Sequence, residues 1–376
     1  MPPKVPTQGK ALTMEQLANV AGVSKMTVSL ALRGHPKISV ATRERIRALA
    51  EEMGYRPNPL VQTLMANLRT THPTSYHSTI AWVTTFPTHD GWNQHHTHQL
   101  YHQGASARAA ALGYKIEPFW AFAPRMTGAI LSRMFRARGI RGLIVPPAGR
   151  PGTKLDIEWE HFSCATIGYS LVEPCLNRAA ANLNDGMNRA LAECTRRGLR
   201  RVAFAVPVDT DARVNHAWLA AFLAWQNFIP AKDRIPPLLA ENPMQERLPV
   251  WIGKHRPEVI ISPNNEFTHW LPTLGLRIPR DIGLVVLSAY GNSAGHNLSG
   301  IDQNDFSVGA AAVDLIVSQI QHNEVGIPEH ARQILINGTW KEGSTLGEER
   351  AVASSARPAA KRRSSAPKKL RATAGA

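Results

Sequence analysis

Apolar residues recur at helical spacing through the first fifty residues and fall into short unbroken runs beyond residue 78. Met14, Leu17, Ala18 and Ala21 stand three and four apart, the buried stripe of one short helix. Thr13 is placed to cap that helix, and Gln16, three residues on, completes a capping box. Gly22 ends it, since glycine reaches the left-handed cap conformation at little cost. Ser24 is the next N-cap. The spacing predicts a second helix over 25–32 with Val28, Ala31 and Leu32 facing inward. Its other face shows Lys25, Met26, Ser29, Leu30 and Arg33. Ser39 or Thr42 caps a third helix, whose stripe is Ile46, Leu49, Ala50 and Met53. Two short helices joined by a glycine turn make a helix-turn-helix, whose second helix lies in the major groove of DNA.

After Tyr55, Arg56 and Pro57 comes Asn58-Pro59, a good cap followed by a good first helical residue. The helix this starts, about 60–68, is too short to stand alone. It is expected to form against the same helix of a second subunit, together with DNA. Leu64 is then an apolar wedge in the minor groove, unstacking a base step and bending the duplex. A blander reading has Leu60, Leu64 and Leu68 packing on the neighbouring domain, and both stay open.

Residues 12–65 resemble, without gaps, the N-terminal module of the lac repressor/galactose repressor (LacI/GalR) transcription regulators. The matching residues are Thr13, Ala18, Ala21-Gly22-Val23-Ser24, Thr27-Val28-Ser29, Ser39, Thr42-Arg43, Gly54-Tyr55 and Pro57-Asn58. The resemblance implies that Lys25, Met26 and Leu30 read major-groove base edges. It implies that Ser24, Ser29, Ser39, Thr42, Tyr55 and Asn58 hold the DNA backbone, and that Leu64 is the minor-groove wedge. Thr13, Arg33 and Val61 complete the expected DNA-contacting set. Phosphate contacts position such a protein, and base contacts specify the sequence. One departure matters: the family commonly carries Arg where this chain has Leu30. Arg reads guanine, whereas Leu touches a thymine methyl or packs sterically. An altered half-site is expected.

Beyond residue 75 short apolar runs alternate with helical patterns. Strands are expected at 79–86, 114–121, 141–146, 164–168, 200–206, 258–262 and 282–288. Helices are expected near 98–112, 126–138, 186–198, 214–228, 266–275 and 306–322. That rhythm means parallel sheets with helices on both faces. Seven strands suit two doubly wound lobes better than one sheet, with ligands bound in the crevice at the carboxyl ends of the strands. The core also resembles the family over about 78–345, which implies a periplasmic-binding-protein-like fold. Gly198-Leu199-Arg200-Arg201-Val202-Ala203 is similar to its Gly-His-x-Arg-Ile-Ala strand entry, and Leu276–Ile282 to its Val-Pro-x-Asp-Ile segment. The first lobe is expected at 76–170 plus 305–325, the second at 175–300 plus 330–345.

The fold class expected is therefore an all-α helix-turn-helix domain plus an α/β periplasmic-binding-protein-like core of two parallel-sheet lobes. Its parts are a DNA-binding domain at 1–58, a hinge helix at 59–70, an effector-binding and dimerisation domain at 76–345, and a disordered basic tail at 346–376. Effector contacts are expected from Phe86, Asp90, Trp92 and His95 after the first strand. By resemblance they also come from Arg213, from Asn265, where the family's usual Asn-Asp pair reads Asn265-Glu266, and from Ser288, which replaces a frequent Asp.

Charge sharpens this picture. Of the net charge of +15, residues 1–70 supply ten Lys/Arg against four Asp/Glu, and residues 351–376 supply seven Lys/Arg and no acid. The middle is nearly neutral, so charge sits at the two ends, as suits nucleic-acid binding. The tail, rich in Ala, Ser, Pro, Lys and Arg, cannot bury a core. It either adds nonspecific DNA affinity or merely solvates. The 3 cysteines form no CxxC and argue against a disulfide framework. MPPKVPTQGK holds no apolar signal core, and no apolar run approaches a membrane span, so neither secretion nor membrane spanning is expected. The family resemblance implies a bacterial cytoplasmic location.

Two patterns invite other chemistry. Gly291-Asn292-Ser293-Ala294-Gly295 matches the G-x-S-x-G elbow of serine hydrolases, but the following His296-Asn297-Leu298-Ser299-Gly300 reads as a loop where the elbow needs a helix. His98 and His102 share a helix face near His89, His95 and His96, yet no Cys or paired carboxylate accompanies them apart from Asp90. No catalytic residue, metal or cofactor is expected; no nucleotide-binding glycine loop is present. The reading is a regulator, a repressor acting as a homodimer on a pseudo-palindromic operator, controlled by a small molecule such as a sugar. The rivals are a nonspecific architectural DNA-binding protein, a serine hydrolase fused to a DNA-binding module, and a regulator whose core binds no effector.

Overall fold

The computed structural model describes residues 13–32, 38–55, 78–150, 152–241, 244–290, 292–293 and 295–347. Arg33, Asn58, Val61, Leu64, the expected hinge helix at 59–70 and the tail from 348 onward lie outside them. Three helices form the N-terminal module: α1 (Met14–Ala21), α2 (Lys25–Leu32) and α3 (Val40–Glu52). Their facing stripes bury Leu17, Ala18, Ala21, Val28, Ala31, Ile46 and Ala50 in one small cluster. The Arg45 guanidinium of α3 donates to the Ala21 carbonyl at 3.1 Å, satisfying a carbonyl at the end of α1.

The core opens with β1 (Ser78–Thr84), α4 (His96–Ala111), β2 (Tyr114–Trp120), α5 (Gly128–Ala137), β3 (Gly142–Val145), β4 (Ser163–Ile167) and β5 (Asn177–Ala181). It continues through α6 (Leu183–Arg196), β6 (Val202–Pro207), α7 (Val208–Arg213), α8 (Ala217–Gln226), β7 (Leu238–Ala240), α9 (Leu248–His255), β8 (Val259–Ser262), α10 (Phe267–Thr273) and β9 (Gly283–Val286). A hairpin of β10 (Asn292–Ser293) and β11 (His296–Asn297) leads to β12 (Gly300–Asp302), α11 (Asp305–His322), β13 (Gln333–Ile336) and β14 (Thr339–Lys341).

Two six-stranded sheets result, ordered β13-β5-β4-β3-β1-β2 and β14-β12-β9-β8-β6-β7. The first is parallel throughout; in the second only β14 runs against its neighbour, β12. This is the two-lobed α/β core expected from the strand-helix rhythm.

The lobe boundaries differ from those expected. β5 and β13 both belong to the first sheet, so that lobe runs to Ala181 and takes back 305–336. Asn177–Ala181 reads Asn-Arg-Ala-Ala-Ala, with no β-branched or aromatic residue, yet all five residues are buried between neighbouring strands. The chain thus crosses between lobes three times: after β5, after β12 and after β13. The folded core also runs past the expected tail boundary, since Leu346 is buried against the main apolar cluster.

Close helix packing fixes the geometry above the first sheet. A Cβ on Gly104 of α4 would sit 1.8 Å from the Phe306 carbonyl oxygen, and one on Gly309 of α11 would sit 2.0 Å from that of Tyr101. Only glycine lets these two backbones approach so closely, and the approach sets Tyr101 beside the first turn of α11.

Candidate functional site

The N-terminal module is held by local caps. Thr13 N–H donates to Gln16 Oε1 at 2.8 Å while Gln16 N–H returns to Thr13 Oγ1 at 3.3 Å, the reciprocal box. Gly22 closes α1 at φ 66°. Ser24 Oγ accepts from Thr27 N–H at 3.0 Å and Ser39 Oγ from Thr42 N–H at 3.3 Å. Ser24 and Ser39 are both exposed, so the positive N-terminal ends of α2 and α3 lie at the surface. Tyr55 packs against the small cluster of the module, and burial raises its phenol above the ordinary range.

On α2, Val28 and Ala31 turn inward. Lys25 and Met26 are exposed, and Ser29 and Leu30 are half-buried. Met26 keeps 67% of its surface in solvent. Lys25 Nζ lies 2.7 Å from Glu15 Oε2, an exposed pair that contributes little stability.

Between the lobes lies a cleft of about 780 Å³, within the range of small-molecule sites. Its walls follow the carboxyl ends of the strands: Phe86 after β1, Gly149 after β3, Gly168–Ser170 after β4, Asn264–Glu266 after β8 and Ser288 after β9. Of the residues expected to contact an effector, Phe86, His95, Arg213, Asn265 and Ser288 line it. Asp90 and Trp92 do not. Trp92 is buried beneath the cleft wall, its ring 6.4 Å from Trp82 and 4.9 Å from His102. Asp90 is exposed and pairs with His89 at 2.7 Å. The 3-10 turn at Gly91–Gln94 accounts for the miss, because it rotates Trp92 inward while α4 carries the histidines to the cleft.

The floor was not legible. His98, Trp218, Gln303 and Asp305 are all buried and all line the cleft. Each holds a buried polar atom without a hydrogen bond to the described residues: His98 Nδ1, Trp218 Nε1, Gln303 Oε1 and Asp305 Oδ2. Burial, with smaller contributions from the nearby His95 and Arg213, pulls the His98 imidazole down to about 3. Burial pushes the Asp305 carboxyl up to about 7, against a hydrogen bond from Tyr101 that favours its anion. Burial likewise lowers Arg213, whose Nη1 donates to the Gly149 carbonyl at 3.2 Å across the cleft. At the mouth, Thr97 Oγ1 donates to the Tyr290 hydroxyl at 3.3 Å, and His96 meets the same ring edge-on at 4.9 Å.

The loop after β4 is braced from below. Arg178 donates to the Leu171 carbonyl at 3.0 Å and to that of Gly168, and it stacks on Tyr169 at 5.3 Å. Ser170 Oγ accepts from Ala148 N–H at 2.8 Å, tying this loop to the one after β3.

The other two patterns resolve differently. Asn292–Ser293 pairs antiparallel with His296–Asn297, so Ser293 lies in a hairpin and not on a strand-to-helix elbow. No group of three or more His, Cys, Asp or Glu among the described residues is arranged to hold a metal ion. Among the same residues no helix is long and apolar enough to cross a membrane.

Residues 13–58 match the family model described as bacterial regulatory proteins, lacI family. The HTH-type transcriptional regulator AscG of Escherichia coli (strain K12) is 48% identical over 54 residues, 14% of this chain and 16% of that protein. That alignment therefore spans well under two thirds of the relative and covers the N-terminal module alone. In structure, a transcriptional regulator CelR–cellobiose complex superposes over 89% of this chain and 99% of that one, with a TM-score of 0.55 at 16% identity. The lac repressor dimer bound to operator and the anti-inducer ONPF superposes over 90% and 100%, with a TM-score of 0.50 at 17% identity. These likenesses establish the fold: helix-turn-helix helices followed by a periplasmic-binding-protein-like core.

Proposed function

We propose that this chain, which belongs to the lacI family of bacterial regulatory proteins, is a sequence-specific repressor of transcription, working as a homodimer and controlled by a sugar bound between its core lobes. One observation carries the reading. A capped helix-turn-helix with an exposed second helix shares a chain with an interlobe cleft of about 780 Å³ lined by His95, Arg213, Asn264, Asn265, Ser288 and Tyr290. Those side chains mix donors and acceptors: a guanidinium, an imidazole, carboxamides and hydroxyls. A hydroxyl both donates and accepts, so a polyhydroxylated guest satisfies such a set and an apolar one leaves it unpaired. Phe86 and Trp218 supply ring surface for the apolar face of a sugar. The structural neighbour CelR is described with cellobiose, which supports the same class of guest.

In this reading two modules sit on a pseudo-palindrome, Ser24, Ser29, Ser39 and Thr42 hold phosphates, and Leu64 of paired hinge helices wedges the minor groove. Thr13, Tyr55, Asn58 and Val61 support those contacts. The protein acts in the bacterial cytoplasm, on the nucleoid when bound to DNA, and has no catalytic role. Effector and operator are coupled reciprocally: a sugar that weakens DNA binding is itself bound less tightly on DNA.

Selection of bound sequences from a random DNA pool tests the first half. A pseudo-palindrome with a flexible pyrimidine–purine step at its centre is expected. Equal recovery of all sequences would favour nonspecific architectural binding. Calorimetric titration against a sugar panel tests the second half, with binding lost in Gln303→Leu. On the selected operator, Leu64→Ala should reduce affinity and bending while leaving the core fold intact; unchanged bending would remove the wedge from the mechanism.

A further inference from the structure

We infer that Met26 and Leu30 read thymine methyl groups in the operator, so that direct readout by α2 is apolar. The inference rests on the regulator reading above and specifies what its recognition helix recognises. The sequence of α2 is Lys-Met-Thr-Val-Ser-Leu-Ala-Leu. It holds no Arg, Asn or Gln, the side chains that clasp guanine or adenine with two hydrogen bonds. Thr27 is engaged with Ser24, its hydroxyl 2.8 Å from Ser24 Oγ. Lys25 carries a compact ammonium without the planar fork of a guanidinium, and it lies 2.7 Å from Glu15.

What the helix does present is hydrocarbon. Met26 and Leu30 stand four apart and so lie on one face, one turn above the other. Met26 is among the most exposed large apolar side chains of the described residues, at 67%. The small cluster of the module is filled by Leu17, Val28, Ile46 and their neighbours without it. A helix of eight residues offers little surface, and leaving methionine in water in its first turn has no structural return here. In the major groove the one apolar feature on a base edge is the C5-methyl of thymine. Two side chains one helical turn apart match methyls on neighbouring base pairs of a half-site.

The test uses the full chain and DNA altered by single methyl groups. An operator is first selected from random sequence. Each thymine of its half-site is then replaced by deoxyuridine, which deletes only the methyl. At one or two positions the affinity should fall about fourfold, the worth of one buried methyl-sized group. Changing such a pair to C·G should weaken binding further, and 5-methylcytosine there should recover part of the loss. In Met26→Ala or Leu30→Ala, uracil should become silent at the position that side chain covers.

A half-site without thymine, or one whose thymines all tolerate uracil, overturns the methyl readout and leaves the regulator reading standing. Uracil effects that persist undiminished in both variants also overturn it. Failure of any sequence to enrich overturns the regulator reading, and the methyl readout with it.

Discussion

A buried imidazole and a buried carboxyl share the floor of the cleft, and acid acts on them in opposite directions. His98 is held down to about 3, so on unfolding it gains a proton that the folded state refuses. Its contribution to stability is flat above pH 6.5 and is lost as the pH falls from there toward 3. At about 1.4 kcal/mol per pKa unit, His98→Gln should recover up to about 2 kcal/mol of the loss between pH 6.5 and 5, read by denaturant unfolding at both values. Asp305, raised to about 7, behaves inversely. Ionising it while buried destabilises the fold above pH 7, and that penalty is relieved as the pH falls toward the unfolded value near 4. Asp305→Asn should therefore gain stability at pH 8 relative to wild type and little below about pH 4, so a stability difference unchanged by pH would contradict its burial as a carboxyl. Neither behaviour was legible in the sequence. His98 stood out only as one of several clustered histidines, and Asp305 as an unremarked residue before an apolar helix. Their chemistry comes from the lobes closing over them, which local spacing does not encode.

Helices and strands divide along the same line. The bounds of α1 and α2 could be read to the residue because their signals are local: Thr13 with Gln16, Gly22, then Ser24. Ser24→Ala should cost about 1 kcal/mol of module stability, measured by thermal unfolding of the helical signal. β5 could not be read, since its alanines acquire strand character only from Ile334 and Leu335 of β13 on one side and the strand β4 on the other. The crossing of α4 and α11 was equally hidden, because Gly104 and Gly309 are ordinary small residues until the two backbones meet. Gly309→Ala should destabilise the core by about 2 kcal/mol through overpacking. By loosening the packing that buries Tyr101 beside Asp305, it should also lower the tyrosine pKa from well above its ordinary range in a spectrophotometric titration. Phe86, His95, Arg213, Asn265 and Ser288 were placed in the cleft by position after a strand or by resemblance. Asp90 and Trp92 followed the same logic and missed, because one 3-10 turn reorients the chain between β1 and α4.

At the scale of the molecule, the largest apolar cluster joins both sheets. Ile80, Trp82 and Ile144 of the first lobe and Met187, Val202 and Phe204 of the second belong to one buried network. The core should therefore unfold in a single calorimetric transition, the N-terminal module melting separately; two core transitions would show the lobes to be independent. Charge is distributed otherwise, at the ends of the chain. Removing residues 351–376 should flatten the dependence of DNA affinity on salt while leaving the preferred sequence unchanged.

The three crossings carry a further consequence, for inheritance. Each lobe is sewn from separated stretches, 78–181 with 305–336 and 183–302 with 339–347. Neither can be encoded by one uninterrupted piece of a gene. A single cut inside the core separates strands that belong to one sheet. Among the described residues, the module at 13–55 is the part built from one continuous stretch, and on the proposed reading it is a whole reader of DNA that can be exchanged for another. The two-lobed core passes down entire or not at all, and on the proposed reading its ligand specificity changes one cleft residue at a time.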